Sequence, residues 1–486
     1  MSEPSPQAGG DGGGLSPFLI AFCLFFTLHS SLFTLQAQRT TVVDLSARAQ
    51  TLEGWGVSLC WWANMCGRWD DEAALDTLLS WLCSDDGLGY TLFRYNIPGG
   101  DSPECLSSQP HHFGRRGGKG LRALMEPLAP QPGVYDWSAD AAQRRVMLRL
   151  HELQPLAQFE AFSNSPPWWM TVSGCVGGAT VATDDNLRPD CYEAFARYLI
   201  DVCSFYRDSF GIEFLTLEPF NEPMTDYWRA YGSQEGCHFS VESQLRLMEV
   251  IAPLLEASGL TTRLAASDET SLAQSLLDLK AYYEAGLLPW QWNTHSYEAT
   301  DSARLALSAL VTQTGLRLWQ SESGAGGRGL HGNLQMAQRL FDDMRLLQPT
   351  AWMDWQYVEE RGDQWSLVSD SGWRQDAFTR HKNYYVRWQV THFIRPGYTF
   401  LQTDNPQLLA ALSPDEEELV LVLLNTDLRG GVEHTLRLPG VESNQVRAWR
   451  TTWQEDAAPC SDFVYESGQL SLLIPPLSIT TLVLHL

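Results

Sequence analysis

Strand-like runs alternate with amphipathic helical stretches eight times between residues 51 and 400 of this 486-residue chain. A repeated strand-then-helix order requires a parallel sheet with right-handed crossovers. Eight such units in one stretch close into a (β/α)8 TIM barrel, which builds its active site at the carboxyl ends of the strands. The predicted strands are residues 52–59, 91–97, 156–163, 214–221, 263–267, 292–297, 316–321 and 352–357.

The pattern changes after residue 397. Short strand-like runs separated by turn residues follow one another, and no helical stretch interrupts them. We therefore predict a catalytic barrel over residues 38–397 and an appended all-β, β-sandwich-like domain over residues 398–486.

The first residues carry a targeting pattern. Residues 1–14 are rich in Gly, Ser and Pro, and an apolar run follows over residues 15–35, broken by His29, Ser30 and Ser31. This predicts a signal peptide over residues 1–37 and a secreted protein. A basic start is missing, so an uncleaved membrane anchor that carries an exported catalytic domain is the alternative.

The charge balance restricts the partners. The chain has 33 basic and 58 acidic residues, a formal net charge of -25, which disfavours nucleic acid or any other polyanion. The 19 tryptophans favour a neutral ligand such as a carbohydrate, because exposed indole rings stack on sugar faces. We expect a monomer that needs no metal and no organic cofactor.

Ten cysteines are present, and removal of the targeting segment leaves nine. In an exported protein some of these should pair, and an odd number leaves at least one free. The spacing of Cys60 and Cys66 lacks a further His or Cys pair, so no zinc site is predicted there. We interpret the basic patch at residues 111–119 as a solvated loop beside the barrel mouth.

Two predicted strands end in glutamates. The fourth ends in Asn221 and Glu222, where Pro223 stops the sheet ladder, and Glu322 follows the seventh before Gly324. Either glutamate alone has a structural alternative, a capping or ion-paired surface carboxylate. Together at one barrel mouth they indicate glycoside hydrolysis, which needs a proton donor and a nucleophile or base on opposite sides of a sugar ring.

Further strand ends carry groups that suit sugar binding. Each of these residues alone is more often a packing or hydrogen-bonding residue, and their collection at the carboxyl ends is what indicates a site. The candidate substrate-binding residues are Arg94, Asn96, Asn164, Trp168, Trp169, Asn221, His295, Tyr297 and Trp355.

Five segments, from about residue 41 onward, resemble glycoside hydrolase family 30. Within that family the likeness is nearest to the endo-β-1,6-galactanases. The segments are Gly-Trp-Gly-Val-Ser at 54–58, Arg-Tyr-Asn-Ile-Pro-Gly-Gly at 94–100, Ser-Asn-Ser-Pro-Pro-Trp-Trp at 163–169, Glu-Pro-Phe-Asn-Glu-Pro at 218–223 and Gln-Ser-Glu-Ser-Gly at 320–324.

The resemblance implies a retaining mechanism in which Glu222 is the acid/base and Glu322 the nucleophile. In that mechanism Glu322 is ionised and Glu222 starts protonated, with the carboxyl groups about 5–5.5 Å apart. Asn221 is then placed to bond the sugar 2-hydroxyl, and Tyr297 or His295 to orient Glu322. The resemblance also implies that residues around 40–50 complete the C-terminal domain.

The leading hypothesis is a secreted endo-β-1,6-galactanase that acts on the β-1,6-galactan side chains of arabinogalactan. A β-1,6-glucanase or a glucosylceramidase-like β-glycosidase is the alternative within the same class, because galactose and glucose differ in the orientation of one hydroxyl group. A carbohydrate-binding protein that has lost turnover is the alternative from another class, and the presence of both glutamates disfavours it.

Overall fold

The computed structural model describes residues 37–115, 119–324, 326–360, 362, 364–443 and 445–486. All but the last residue of the predicted targeting segment therefore lies outside the described residues. The part of the chain from Ala37 to Leu486 forms one compact unit. Across these described ranges, no helix combines the length and the apolar character that a membrane crossing needs.

Eight parallel strands close into a barrel, which confirms the predicted (β/α)8 fold. They follow the chain order, and the eighth strand pairs with both the first and the seventh. Every strand overlaps its predicted run. In chain order the first to eighth barrel strands are Gly54–Ser58, Leu92–Asn96, Gln158–Phe162, Thr216–Glu218, Arg263–Glu269, Gln291–His295, Arg317–Ser323 and Ala351–Asp354.

The helices between and after these strands begin and end at residues with clear chemical roles. Asp71 accepts hydrogen bonds from the first turn of its helix, and Gly211 ends another helix at a positive φ of 69° that glycine adopts without strain. The eight longer helices are Glu72–Cys83, Ala141–Leu153, Tyr192–Phe210, Val241–Ala257, Leu272–Ala285, Asp301–Thr314, Gly329–Asp342 and Lys382–Thr391.

Several shorter helices and strands lie in the connections that follow the barrel strands. The sequence pattern missed them because pieces of three to five residues are too short to show a period. The helical ones are Trp62–Cys66, Pro103–Ser107, His112–Gly114, Lys119–Ala123 and Trp168–Met170. A π-helical turn, Asp343–Leu347, continues the helix Gly329–Asp342 toward the eighth barrel strand. A small sheet after the eighth barrel strand contains Val358–Glu360, Val368–Asp370 and Phe378–Arg380.

Two sheets form the β region, and each contains one strand from the start of the described chain. Their facing sides share an apolar core. The seven-stranded sheet has the order Ala458–Cys460, Gln445–Thr451, Ser478–His485, Glu418–Asn425, Leu408–Leu412, Thr399–Leu401 and Arg48–Thr51. The four-stranded sheet has the order Ala37–Val42, Val432–Arg437, Gln469–Ile474 and Phe463–Glu466.

The last long helix joins the barrel to the β region. Gln389 in this helix donates to the hydroxyl of Thr451 at 3.0 Å and accepts from Thr481. On its other side, Arg387 forms a buried ion pair with Asp354 at the end of the eighth barrel strand. The β region therefore supports the barrel through a helix that is itself tied to the barrel mouth.

We expect Leu421→Ala to lower the stability of the β region by about 2–5 kcal/mol, because it leaves a cavity between well-packed strands. Leu421 is fully buried between Ala410 and Leu482 of the neighbouring strands. Urea unfolding followed by tryptophan fluorescence measures the change. Leu428→Ala, at a position that is 62% exposed, is the matched control and should leave the midpoint almost unchanged. Equal shifts would contradict this account of the core.

Candidate active site

The two candidate glutamates lie at the carboxyl end of the barrel, but not quite where the strand pattern put them. The fourth strand ends at Glu218, so Glu222 lies in the loop that follows, with a positive φ of 49°. Its backbone N–H donates to the carbonyl of Asp268 at 2.9 Å, which holds this conformation. Glu322 lies inside the seventh strand, which extends to Ser323.

The side chains of Glu222 and Glu322 approach each other closely across the mouth. One oxygen of each, together with one nitrogen of His295, lie within 4.8 Å of one another. Carboxyl groups of retaining glycosidases are about 5–5.5 Å apart, whereas those of inverting enzymes are about 6.5–9.5 Å apart. The spacing fits direct attack by one carboxylate on the anomeric carbon.

A cleft of about 420 Å³ opens over the pair. Asn221, Tyr297 and Trp355, all predicted from the sequence, line it with the two glutamates. Tyr227 and Trp365 also line it, and their side chains are 45% and 41% exposed. The cleft thus combines two buried carboxyl groups with aromatic rings at its rim.

Glu322 is held by three groups from two other strands and their loops, the second and the sixth. Its Oε1 accepts a hydrogen bond from the Tyr297 hydroxyl at 2.7 Å, and Arg94 Nη1 lies 3.5 Å from its Oε2. His295 Nδ1 lies 3.6 Å from Oε1. These contacts fix the carboxylate and favour its charge. The expectation that Tyr297 or His295 orients Glu322 agrees with this geometry.

Glu222 lies at the end of a chain of hydrogen-bonding groups. Its Oε1 is 3.2 Å from His295 Nδ1, and the opposite ring nitrogen, Nε2, is 3.2 Å from Asp268 Oδ1. The Tyr227 hydroxyl donates to Oε2. His295 is fully buried between these acidic groups. A change in the charge of Glu222 or Asp268 therefore alters the pKa of the other carboxylate, because the imidazole of His295 lies between them.

The expected order of the two pKa values is reversed in this geometry. Burial is the largest influence on Glu322 and raises its pKa to about 7. Burial also acts to raise the pKa of Glu222, but the hydrogen bond and charge of His295 outweigh it and hold this pKa below its usual value. Burial alone would lower the pKa of His295, yet the nearby charges of Glu322 and Asp268 raise it well above its usual value. The pair therefore carries one proton, on Glu322, between the two values.

Arg94 lies beneath the cleft and is fully buried, so it contacts the nucleophile candidate from below. Its Nε donates to Glu160 at 2.8 Å, and its Nη2 pairs with Asp268. The guanidinium also lies 4.0 Å from the centre of the Phe162 ring. Because the guanidinium is fully buried beneath these carboxylates, its effect on a ligand passes through Glu322 and Asp268.

Four other candidates do not line the cleft over the glutamates. Asn164 donates to Asn96 at 2.9 Å and Asn96 donates to Glu235 at 3.2 Å, and both amides are buried. Trp168 and Trp169 belong to a short helix, and their indole N–H groups bond the carbonyls of Pro130 and Ala129. Both rings line a separate crevice of about 700 Å³ together with Thr171, Val172 and Arg188.

Sequence reasoning missed three residues of the site. Asp268 was overlooked because the fifth strand was predicted to end at Ser267, two residues before its observed end at Glu269. Tyr227 and Trp365 lie in loops, where an aromatic residue has no pattern to identify it. An acidic residue one position beyond a predicted barrel strand was the available signal for Asp268.

The basic patch differs from its interpretation as a solvated loop. His111 and His112 are buried, and both ring Nε2 atoms approach Asp101 Oδ2, at 3.2 and 2.5 Å. Residues 116–118 lie outside the described part of the chain. The cysteines also differ from expectation, since all nine in the described residues are free and seven of them are buried.

The matching family model is that of O-glycosyl hydrolase family 30, and it covers residues 38–280. An endo-β-1,6-galactanase from Hypocrea rufa is 30% identical over 413 residues, which are 80% of this chain and 82% of the relative. An endo-1,6-β-D-glucanase from Aspergillus fumigatus is 22% identical, over 79% of this chain and 80% of that protein. A conserved exported protein from Bacteroides fragilis has the same fold, with a TM-score of 0.75, 18% identity, and coverage of 92% of this chain and 100% of that one.

Arg94→Met should lower the free energy of unfolding by about 3–5 kcal/mol, because it leaves buried carboxylates without their cation. Arg197→Met is the matched control. Arg197 pairs with Glu193 on an exposed helix surface, and loss of such a pair changes stability by about 0.5 kcal/mol or less. Urea unfolding of the two variants measures both effects. Similar values for the two variants would show that the Arg94 network contributes little to stability.

Proposed function

The chain belongs to O-glycosyl hydrolase family 30, and on that premise we propose that it is an endo-β-1,6-galactanase. It is a glycoside hydrolase that retains the anomeric configuration. The observation that carries the proposal is the pair of buried carboxyl groups whose oxygens lie within 4.8 Å of each other under an open cleft. The preference for galactan rests on the relative from Hypocrea rufa, which matches most of this chain.

In the first step Glu322 attacks the anomeric carbon while Glu222 gives its proton to the departing glycosidic oxygen. The bond to the leaving sugar breaks as the bond to Glu322 forms, and a glycosyl-enzyme ester results. In the second step Glu222 removes a proton from water, which attacks the same carbon and releases Glu322. Two inversions at one carbon give net retention.

The groups around the pair have defined tasks in these steps. Tyr297 and Arg94 hold the Glu322 oxygens in place and stabilise the charge that returns to this carboxylate in the second step. His295, backed by Asp268, holds Glu222. The productive form of the pair carries its single proton on Glu222, so the proton has to move from Glu322 before the first step.

Asn221 is suited to contact the sugar directly. Its side chain lines the cleft next to Glu222, and its Oδ1 is buried without a hydrogen-bond partner among the described residues. A buried, unbonded oxygen is costly, and a sugar hydroxyl such as the 2-hydroxyl would satisfy it. The half-exposed rings of Tyr227 and Trp365 offer flat faces on which sugars of the same chain can stack.

A β-1,6-glucanase is the second candidate, supported by the relative from Aspergillus fumigatus. Both relatives act on β-1,6 linkages by name, so the linkage is better supported than the sugar. A glucosylceramidase-like activity has no comparable support. Secretion is part of the proposal, on the apolar run at residues 15–35 and the exported protein of the same fold.

The direct test is hydrolysis of β-1,6-galactan and of β-1,6-glucan by the purified protein. We expect a series of galacto-oligosaccharides from the galactan, as internal cleavage produces. Glu322→Gln is the control for contaminating activity. Release from the glucan alone would establish the second candidate. Binding of either polymer without release by the wild-type protein would identify a carbohydrate-binding protein without turnover.

The two glutamates should differ in their response to azide. Glu222→Ala removes the general acid, so this variant should form the glycosyl-enzyme only from an activated aryl glycoside. Azide should then enter the space left by the Glu222 side chain and attack the glycosyl-enzyme. The product should be a β-glycosyl azide. Glu322→Ala should lose more than about 99% of turnover, because no covalent intermediate forms. The anomeric configuration of the glycosyl azide, measured by NMR, shows which glutamate is the acid/base and which is the nucleophile. An α-azide from Glu222→Ala, or a β-azide from Glu322→Ala, would contradict these roles.

Tyr297→Phe should move the alkaline limb of the pH profile of kcat/KM upward. Activity requires one proton on the pair and falls as the last proton leaves, near the Glu322 pKa of about 7. The Tyr297 hydrogen bond favours ionised Glu322, so its loss raises this pKa and lowers the fraction of pairs with the proton on Glu222. Peak kcat/KM should therefore fall as well.

Profiles measured between about pH 5 and 9 would show both effects, since this range includes the raised Glu322 pKa of about 7. Tyr283→Phe is the matched control, because Tyr283 is 50% exposed on the outer helix Leu272–Ala285. An alkaline limb that stays in place or moves downward in Tyr297→Phe would refute the assignment of that limb to Glu322.

A further inference from the structure

We propose that Asp101, Cys105, His112 and Cys175 form a structural zinc site beside the cleft. The donor atoms of Asp101, Cys105 and His112 lie within 4.8 Å of one another, and Cys175 Sγ lies 3.8 Å from His112 Nε2. In a tetrahedral zinc site with thiolate and imidazole ligands, neighbouring donors are about 3.3–3.8 Å apart. Small side-chain movements would bring the donors of Asp101, Cys105 and His112 to that spacing, and Cys175 already lies at it from His112. This inference replaces the expectation of a metal-free protein.

The imidazole is oriented as a metal ligand requires. His112 Nδ1 lies 2.9 Å from the carbonyl oxygen of Gly232, so this nitrogen carries a proton and donates it. Nε2 faces Asp101 and Cys175 and donates its proton to Asp101 Oδ2, and a bound cation would replace that proton. A hydrogen bond from the far nitrogen to a carbonyl is the usual support of a metal-bound histidine.

The thiol of Cys175 receives two backbone donors. The N–H of Tyr231 lies 3.2 Å from its Sγ, and the N–H of Gly177 lies 3.5 Å from it. These two contacts hold the sulfur in place next to His112. Cys175 is fully buried, so its sulfur is shielded from solvent.

The carboxylate is supported in the same way. Asp101 is 1% exposed, and its Oδ1 accepts from the N–H of Ser102 at 3.1 Å. The ring of His111 stacks on that of His112, and its Nδ1 accepts from the N–H of Phe113 at 3.2 Å. The proton of His111 is therefore on Nε2, which points toward Asp101. His111 thus supports the site and is not a ligand.

The chemistry of the four donors selects zinc. Two thiolates, an imidazole and a carboxylate match the borderline-soft preference of zinc, and a full set of four protein ligands is typical of structural sites. The ligands come from the loops after the second and third barrel strands, and Gly232 lies in the loop after the fourth. Gly177 and Gly232 also line the cleft. The metal would therefore fasten together three loops that form one wall of the cleft.

The test is the zinc content of the purified full-length chain after dialysis, measured by plasma mass spectrometry. We expect about one zinc ion per chain, as for a closed structural site. Cys175→Ser and His112→Ala should each lose most of it. Cys460→Ser, a half-buried cysteine in the β region, is the matched control and should keep it. Absence of zinc from the wild-type protein even after incubation with zinc chloride would overturn the proposal, as would full occupancy in both ligand variants.

Wild-type protein alone gives a second test, should the ligand variants not fold. Cobalt exchanged for zinc should produce strong tetrahedral visible bands and thiolate-to-cobalt absorption in the near ultraviolet, and chelation of the metal should lower the melting temperature. Weak octahedral bands without thiolate absorption would refute the assigned ligands. A disulfide-linked peptide containing Cys105 and Cys175, found by mass spectrometry of the native protein, would replace the metal site with a cross-link.

Discussion

The buried guanidinium of Arg94 is the interaction on which the barrel mouth depends. It extends from the second strand and contacts Glu160 of the third, Asp268 of the fifth and Glu322 of the seventh. A guanidinium without solvent is stable only with well-placed carboxylates, so the cation and its partners have to be placed together. The parallel strands make this arrangement achievable, because their carboxyl ends all meet at one end of the barrel.

The same network sets the protonation of the site. Two cations, Arg94 and His295, face a larger number of acidic groups in a volume that excludes water. Burial together with the charges of Asp268 and Glu160 raises the pKa of Glu218 well above its usual value. Burial likewise raises the pKa of Glu322, to about 7, so Glu322 holds a proton below that pH. A single mobile proton remains for Glu222 and Glu322 to exchange, and a retaining mechanism needs one such proton.

Sequence reasoning succeeded for features that depend on hydrophobic periodicity or on residues that end a strand, such as Pro223. All eight barrel strands overlap their predictions, because short strand-like runs bounded by breakers alternate regularly with helical stretches along the chain. Loop residues were placed less well. Trp168 and Trp169 follow two prolines, yet a short helix turns both indoles toward the carbonyls of Pro130 and Ala129. His111 and His112 resembled a solvated basic patch only while Asp101, ten and eleven residues earlier, was not known to be beside them.

The sequence by itself determined the order of strands and helices and identified Glu222 and Glu322 as strand-end glutamates, because both depend on neighbouring residues along the chain. Only the tertiary structure decided which groups surround these carboxyls and which of the two holds the proton. Those properties depend on Arg94, Asp268 and His295, which are far apart in the chain and meet at the barrel mouth. Electrostatic energies vary with distance and burial in three dimensions, and neither can be read from spacing along a sequence.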